Sequence, residues 1–201
     1  MRKVFLFFVL LFCVSFSFAQ QDSSFSHYMF NQQIINPAYA GARGLTSFTS
    51  IVRSQWSGIV GAPLTQTLSF NTPITSKRLG FGLSVLNDKI GPINTTSFDV
   101  DLAYHLLLNR KDHRLSIGLK VGALSYLLDS DKISTSISAD PSFESDLDRK
   151  LIPNIGFGFY YYTQNFYLGF AVPRLMENKS FGIEHHAYFL GGGLFNINKN
   201  F

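Results

Sequence analysis

The sequence predicts an all-β protein, an antiparallel outer-membrane β-barrel with about eight strands present. Three observations predict it. The first 19 residues read as an export signal, several later segments alternate apolar with small or polar residues at a period of two, and short connections interleave with longer ones.

The export signal comes first. Arg2 and Lys3 form a positive start, Val4 to Phe12 is an unbroken apolar run, and Ser17-Phe18-Ala19 places small residues at the −3 and −1 positions of a cleavage site before Gln20. The alternative, a membrane anchor, needs ~20 apolar residues, and this run is shorter. Phe12 before Cys13 is too bulky for a lipoprotein cleavage site. Cys13 is the only cysteine, so the chain expected after cleavage has no disulfide or thiol chemistry. Losing Arg2 and Lys3 leaves 15 basic residues against 13 acidic ones. No Lys/Arg run exceeds two residues, so nucleic acid is not an expected partner.

Residues 20–44 form a segment ahead of the first strand, expected to be periplasmic or intraluminal, and residues 45–201 carry the barrel strands. Pro37 fixes its own φ and biases Asn36 to extended geometry. Leu45–Arg53 and Gln66–Ile74 are weakly alternating strands. Clear alternation follows: Leu79, Phe81, Leu83 and Val85; Phe98, Val100, Leu102, Tyr104 and Leu106; Leu115, Ile117, Leu119 and Val121; Ile155, Phe157, Phe159 and Tyr161; Phe166, Leu168, Phe170 and Val172. His185–Ile197 is the eighth strand.

Short connections at Thr75–Arg78, Asn109–His113 and Thr163–Asn165 interleave with longer ones at Ser57–Leu64, Asp88–Asn94, Asp129–Lys150 and Pro173–Glu184. Outer-membrane barrels show this asymmetry, with short periplasmic turns and long outer loops. Pairing Ile74 with Leu79, and Asn109 with Arg114, keeps every apolar stripe on one side. The opposite face is rich in glycine: Gly80, Gly82, Gly118, Gly122, Gly156, Gly158 and Gly169. A water-exposed face normally carries Lys, Glu and Thr, whereas small residues suit a crowded or curved interior wall. The apolar stripe therefore faces lipid. Tyr160–Tyr162 and Phe166-Tyr167 flank a short turn, where an aromatic girdle lies.

Before and between these strands stand Phe25-Ser26-His27-Tyr28-Met29-Phe30-Asn31, Ile35-Asn36-Pro37-Ala38-Tyr39-Ala40-Gly41, Arg53, Gln55-Trp56 with Gly58, Gly61-Ala62-Pro63, Asp88 with Gly91-Pro92, Ala103-Tyr104-His105 and Asn165-Phe166-Tyr167-Leu168-Gly169. In this order they resemble the PorP/SprF family of type IX secretion membrane proteins of Bacteroidota-type bacteria. The resemblance spans nearly all of the chain after the export signal. It implies an outer-membrane barrel, exported through the Sec pathway, that works with the type IX machinery to export or display a secreted surface protein, in some members a gliding-motility adhesin. It also implies further C-terminal strands, so the barrel is expected to be incomplete at Phe201.

No candidate chemistry survives inspection, and the protein is not expected to be an enzyme or to need a cofactor or metal. Adjacent His185 and His186 on a strand point to opposite faces and cannot grip one ion. Asp99, Asp101, His105 and Lys120 share the inner face, with Lys120 expected opposite Asp101 or Ala103. They form either a polar lumen that contacts a passing chain or an ion-pair network that stabilises the wall. Asn36, Pro37, Tyr39 and Gly41 belong to a segment that either docks machinery or plugs the barrel. Arg53 and Trp56 complete the candidate contact residues, and the loop Asp129–Lys150 is a surface candidate. The expected partners are the type IX machinery, a secreted surface protein and outer-membrane lipid. The alternative function is a passive outer-membrane channel for small or apolar solutes, and a soluble periplasmic β-protein is a weaker third.

Overall fold

The computed structural model describes residues 28–74, 78–109, 113–128, 150–176 and 185–194. The expected export signal and the loop over residues 129–149 lie outside them.

Period-two alternation produces the expected sheet. Among the described residues eight strands pair in chain order: β1 (Ser47–Ser54), β2 (Leu64–Ile74), β3 (Leu79–Ile90), β4 (Ile93–Asn109), β5 (His113–Leu128), β6 (Lys150–Tyr162), β7 (Phe166–Val172) and β8 (Tyr188–Gly193). Every pairing is antiparallel, and the sheet curls into a half-barrel. Among the described residues no pairing joins β1 to β8, so the sheet has two edges. No described helix is long and apolar enough to cross a membrane.

The two faces separate as the alternation demands. On β5, Ile117, Leu119 and Val121 are 44%, 49% and 51% exposed on the convex side. Their neighbours Ser116 and Lys120 are 0% and 1% exposed on the concave side. A soluble barrel would reverse this distribution, because burying apolar rather than polar surface stabilises a fold in water. The convex face is instead an apolar belt continuing through Phe98, Leu102, Phe159 and Phe189.

Register follows in part. Ile74 pairs with Leu79 as expected. Asn109 does not pair with Arg114: Leu107 faces Arg114, Asn109 faces His113, and a register irregularity lies between them. The partner of Arg114 is thus two residues from the expected one, an even displacement that keeps the faces of the paired strands up to Leu107. The connection expected over Asp88–Asn94 is a correction. Ile90 pairs with Ile93 across a two-residue turn, Gly91-Pro92, with Gly91 at φ 57°. The strands outrun their apolar alternation because polar groups bond across them. Asn87 Nδ2 donates to Asn94 Oδ1 and Thr96 Oγ1, both at 2.8 Å. β4 and β5 reach 17 and 16 residues, well beyond the ~9–11 that a tilted membrane strand needs. β8 is shorter than expected, since residues 185–187 are not strand.

Candidate functional site

The concave wall is covered by the chain's own N-terminal segment. Residues 28–44 run across it in three single 3-10 turns, Tyr28–Phe30, Gln32–Ile34 and Pro37–Tyr39. Asn36 starts the third turn in extended geometry, φ −118° and ψ 107°, and its Oδ1 accepts from the Ala38 N–H at 3.0 Å. Pro37 at the first position of the turn has no N–H to satisfy. Short turns fit here because the segment bonds to the wall rather than along its own axis.

Glycines make the approach possible. A Cβ at Gly118 would lie 2.5 Å from Ala38 Cα, and one at Gly80 would lie 2.9 Å from Gly41 N. These are backbone atoms that cannot swing aside, so only a bare Cα admits them. Gly82 lies beneath the Gln33 amide and Gly158 beneath Asn36. The expected crowding of the glycine face is thus made by this segment at Gly80, Gly82, Gly118, Gly158 and Gly169, whereas Gly122 lies against Asp99 and Gly156 against Pro173.

Hydrogen bonds hold the plug in register. Asn36 Nδ2 donates to Phe159 O at 3.0 Å, and Gln33 Nε2 donates to Phe70 O and Leu83 O at 3.1 and 3.2 Å. The Gly41 N–H donates to Asn71 Oδ1 at 2.7 Å, and Asn31 Nδ2 to Ser69 Oγ at 2.8 Å. His105 Nε2 lies 2.9 Å from Ala40 O, and its Nδ1 meets Ser116 Oγ. A carbonyl only accepts, so His105 Nε2 carries a proton and donates to Ala40 O, while the Ser116 hydroxyl can donate to or accept from Nδ1. Tyr39 packs edge-on against Tyr160, with ring centres 5.4 Å apart. Burial pushes the Tyr39 phenol above its usual pKa, while Arg43 opposes the shift.

Deeper in the wall Lys120 faces Asp101, one of the two partners expected, and its ammonium lies 3.1 Å from Asp101 Oδ1 and 4.0 Å from Asp99 Oδ2. The 3.1 Å contact is an ion pair whose angles fall outside hydrogen-bond geometry. Removing one member of such a pair costs about 3–5 kcal/mol, because the other is left buried and uncompensated. Asn154 Nδ2 donates to Asp99 Oδ1 at 3.3 Å and ties the network to β6.

The structure therefore brings Asn36, Pro37, Tyr39, Gly41, Asp99, Asp101, His105 and Lys120 to one wall. Arg53 is half-buried on the inner side of β1, opposite Thr65, and does not join them. Trp56 is 71% exposed on the loop after β1, far from this wall in register. Sequence reading missed Gln33, Asn71 and Ser116, although Gln33 is 1% exposed and Ser116 is fully buried. The available signal was position: Asn71 and Ser116 stand on the inner parity of their strands. Among the described residues no cluster of three His, Cys, Asp or Glu side chains could hold a metal ion.

The arrangement can hold a polypeptide. Bare Cα positions accept peptide backbone, and carbonyls and amides of the wall bond to it in register. Comparison with curated proteins and with solved structures returns no match. The family model described as type IX secretion system membrane protein PorP/SprF matches residues 17–200. That span takes in the plug, all eight strands and the loop bearing Trp56, and the chain belongs to the PorP/SprF family of type IX secretion system membrane proteins.

Proposed function

We propose that this protein acts without catalysis in the outer membrane, as an accessory component of type IX secretion that supports export or surface display of a secreted protein such as an adhesin. Sec export delivers it, and the convex belt meets lipid. Its partners are then the secretion machinery and the secreted chain, with gliding motility as one process it would serve.

One observation carries this reading over a passive channel. An aqueous channel keeps its polar wall wet, yet Asp101 is 0% and Lys120 1% exposed beneath the chain's own segment. A wall built to accept backbone suits holding a polypeptide better than passing solutes. Deleting the gene should remove one or a few proteins from the cell surface and leave small-solute uptake nearly unchanged, with both measured in the same mutant. Lost uptake with an intact surface proteome would favour the channel.

A further inference from the structure

The loop joining β1 to β2 stands apart from the plugged wall. It is held closed: the Gln55 N–H donates to Pro63 O at 3.0 Å, the Ile59 N–H to Trp56 O and the Ala62 N–H to Ile59 O at 3.2 Å. The Gly91 N–H of the neighbouring β3–β4 turn donates to Gly61 O at 2.9 Å, tying the two hairpin ends together. Trp56 is held at φ 52°, a left-handed conformation that a bulky residue rarely adopts. An ordered loop normally turns its apolar side chains inward. This one leaves Trp56, Ile59 and Val60 71%, 63% and 102% exposed.

Two observations indicate what meets them. Along β1 the outward positions are Phe48, Ser50, Val52 and Ser54, and Trp56 continues that parity at the end of the strand. Trp56 thus stands at the end of the convex row of β1, with exposed Ile59 and Val60 three and four residues further along the same loop. No residue from 54 to 63 is charged, whereas Lys89, exposed on β3 opposite Leu64, stands at the foot of the loop. Tryptophan beside aliphatic side chains, with a cation nearby, matches the boundary between hydrocarbon and anionic headgroups. A loop presented to water would carry charge.

We propose that the Trp56–Val60 loop is an interfacial anchor, seating Trp56, Ile59 and Val60 in the headgroup region of the lipid leaflet and placing Lys89 among its phosphates. This rests on the membrane reading above. It would fix the depth of the β1–β2 end of the sheet and leave the plugged wall clear.

Trp56 is the only tryptophan, so its fluorescence reports the loop directly. The full chain, purified from membranes, is reconstituted into bilayers of anionic and zwitterionic phospholipid brominated either near the headgroup or near the chain end. The expected result is blue-shifted emission, quenched about twofold more by the shallow bromine than by the deep one, with weak quenching by aqueous iodide. Val60→Asp should weaken the shallow quenching. Water-like emission quenched by iodide and by neither lipid would overturn the anchor and mark a surface for an aqueous protein partner. Strongest quenching by the deep bromine would overturn the interfacial placement. Leu119→Trp in a Trp56→Phe background separates the two readings. Deep quenching there with none at Trp56 refutes the anchor alone, and no lipid quenching at either position refutes the membrane reading as well.

Discussion

Replacing Gly118 by alanine adds one methyl group to the inner wall and should unseat the plug. The new Cβ would stand 2.5 Å from Ala38 Cα and closer still to the Ala38 N–H and the Pro37 carbonyl carbon. Ordinary contact needs about 3.5–4.0 Å, so the third 3-10 turn must lift by an ångström or more. That movement stretches the Asn36–Phe159 and His105–Ala40 hydrogen bonds, now 3.0 and 2.9 Å, beyond useful range. Counting one buried group left without a partner for each of the two broken bonds, at about 1–3 kcal/mol apiece, about 2–6 kcal/mol of plug docking is at stake. Gly191→Ala is the matched control, because its Cβ would meet the Leu168 Cδ2 methyl at 3.3 Å, a movable side-chain end, and Tyr167 O at 3.7 Å, an ordinary contact distance. The assay is limited proteolysis and amide exchange of residues 28–44 in the membrane-inserted protein. Gly118→Ala should open this segment while the strand amides stay protected, and Gly191→Ala should leave it closed. A plug equally protected in both variants would refute the argument from close approach.

Three further outcomes are expected. Lys120→Met should destabilise the barrel by about 3–5 kcal/mol by stranding Asp101, and adding Asp101→Leu should recover part of that loss in a denaturant titration from lipid bilayers. Leu119→Arg places a charge on the convex belt at a cost of about 2–4 kcal/mol if that position lies near the bilayer midplane, which reduced insertion into bilayers would show. Asn36→Ala removes both the turn cap and the bond to Phe159 O, and it should raise exchange across Asn36–Ala40 without altering the strands.

Faces were legible in the sequence because side chains alternate along a regularly paired strand. The parity that puts Leu119 outside and Lys120 inside needs no knowledge of partners, but the expected turn pairing Asn109 with Arg114 would have set Lys120 opposite Ala103, and the observed register two residues away sets it opposite Asp101. Strand ends were less legible. Asn87, Asn94 and Thr96 extend β3 and β4 through side-chain bonds that carry no apolar signal, which hid the Gly91-Pro92 turn inside an expected loop. The register up to Leu107 differs from the expected one by two residues, which spared the faces, while the irregularity beyond it leaves Leu107 and Leu108 both exposed. The site was legible only as ingredients. Asn36, Pro37, Tyr39 and Gly41 stood out, and so did the glycines of the wall. Their meeting depends on contacts such as Gln33 with Phe70 and Leu83, 37 and 50 residues apart. A segment of single 3-10 turns has no periodicity to announce which side faces the wall.

The central claim is a sheet with an apolar convex face and a polar concave face sealed by residues 28–44. Cysteine accessibility in native membranes tests it most directly, and Cys13, the only native cysteine, can be replaced by serine beforehand. Single cysteines at Ile117 and Leu119 report the convex face, and those at Ala103 and Ser116 report the concave one. A lipid-soluble maleimide should label positions 117 and 119 and spare 103 and 116. A water-soluble maleimide should reach 103 and 116 only after residues 28–44 are deleted. Lipid-phase labelling at 103 and 116 with protection at 117 and 119 would contradict the facing, and water-phase labelling of 103 and 116 in the intact chain would contradict the plug.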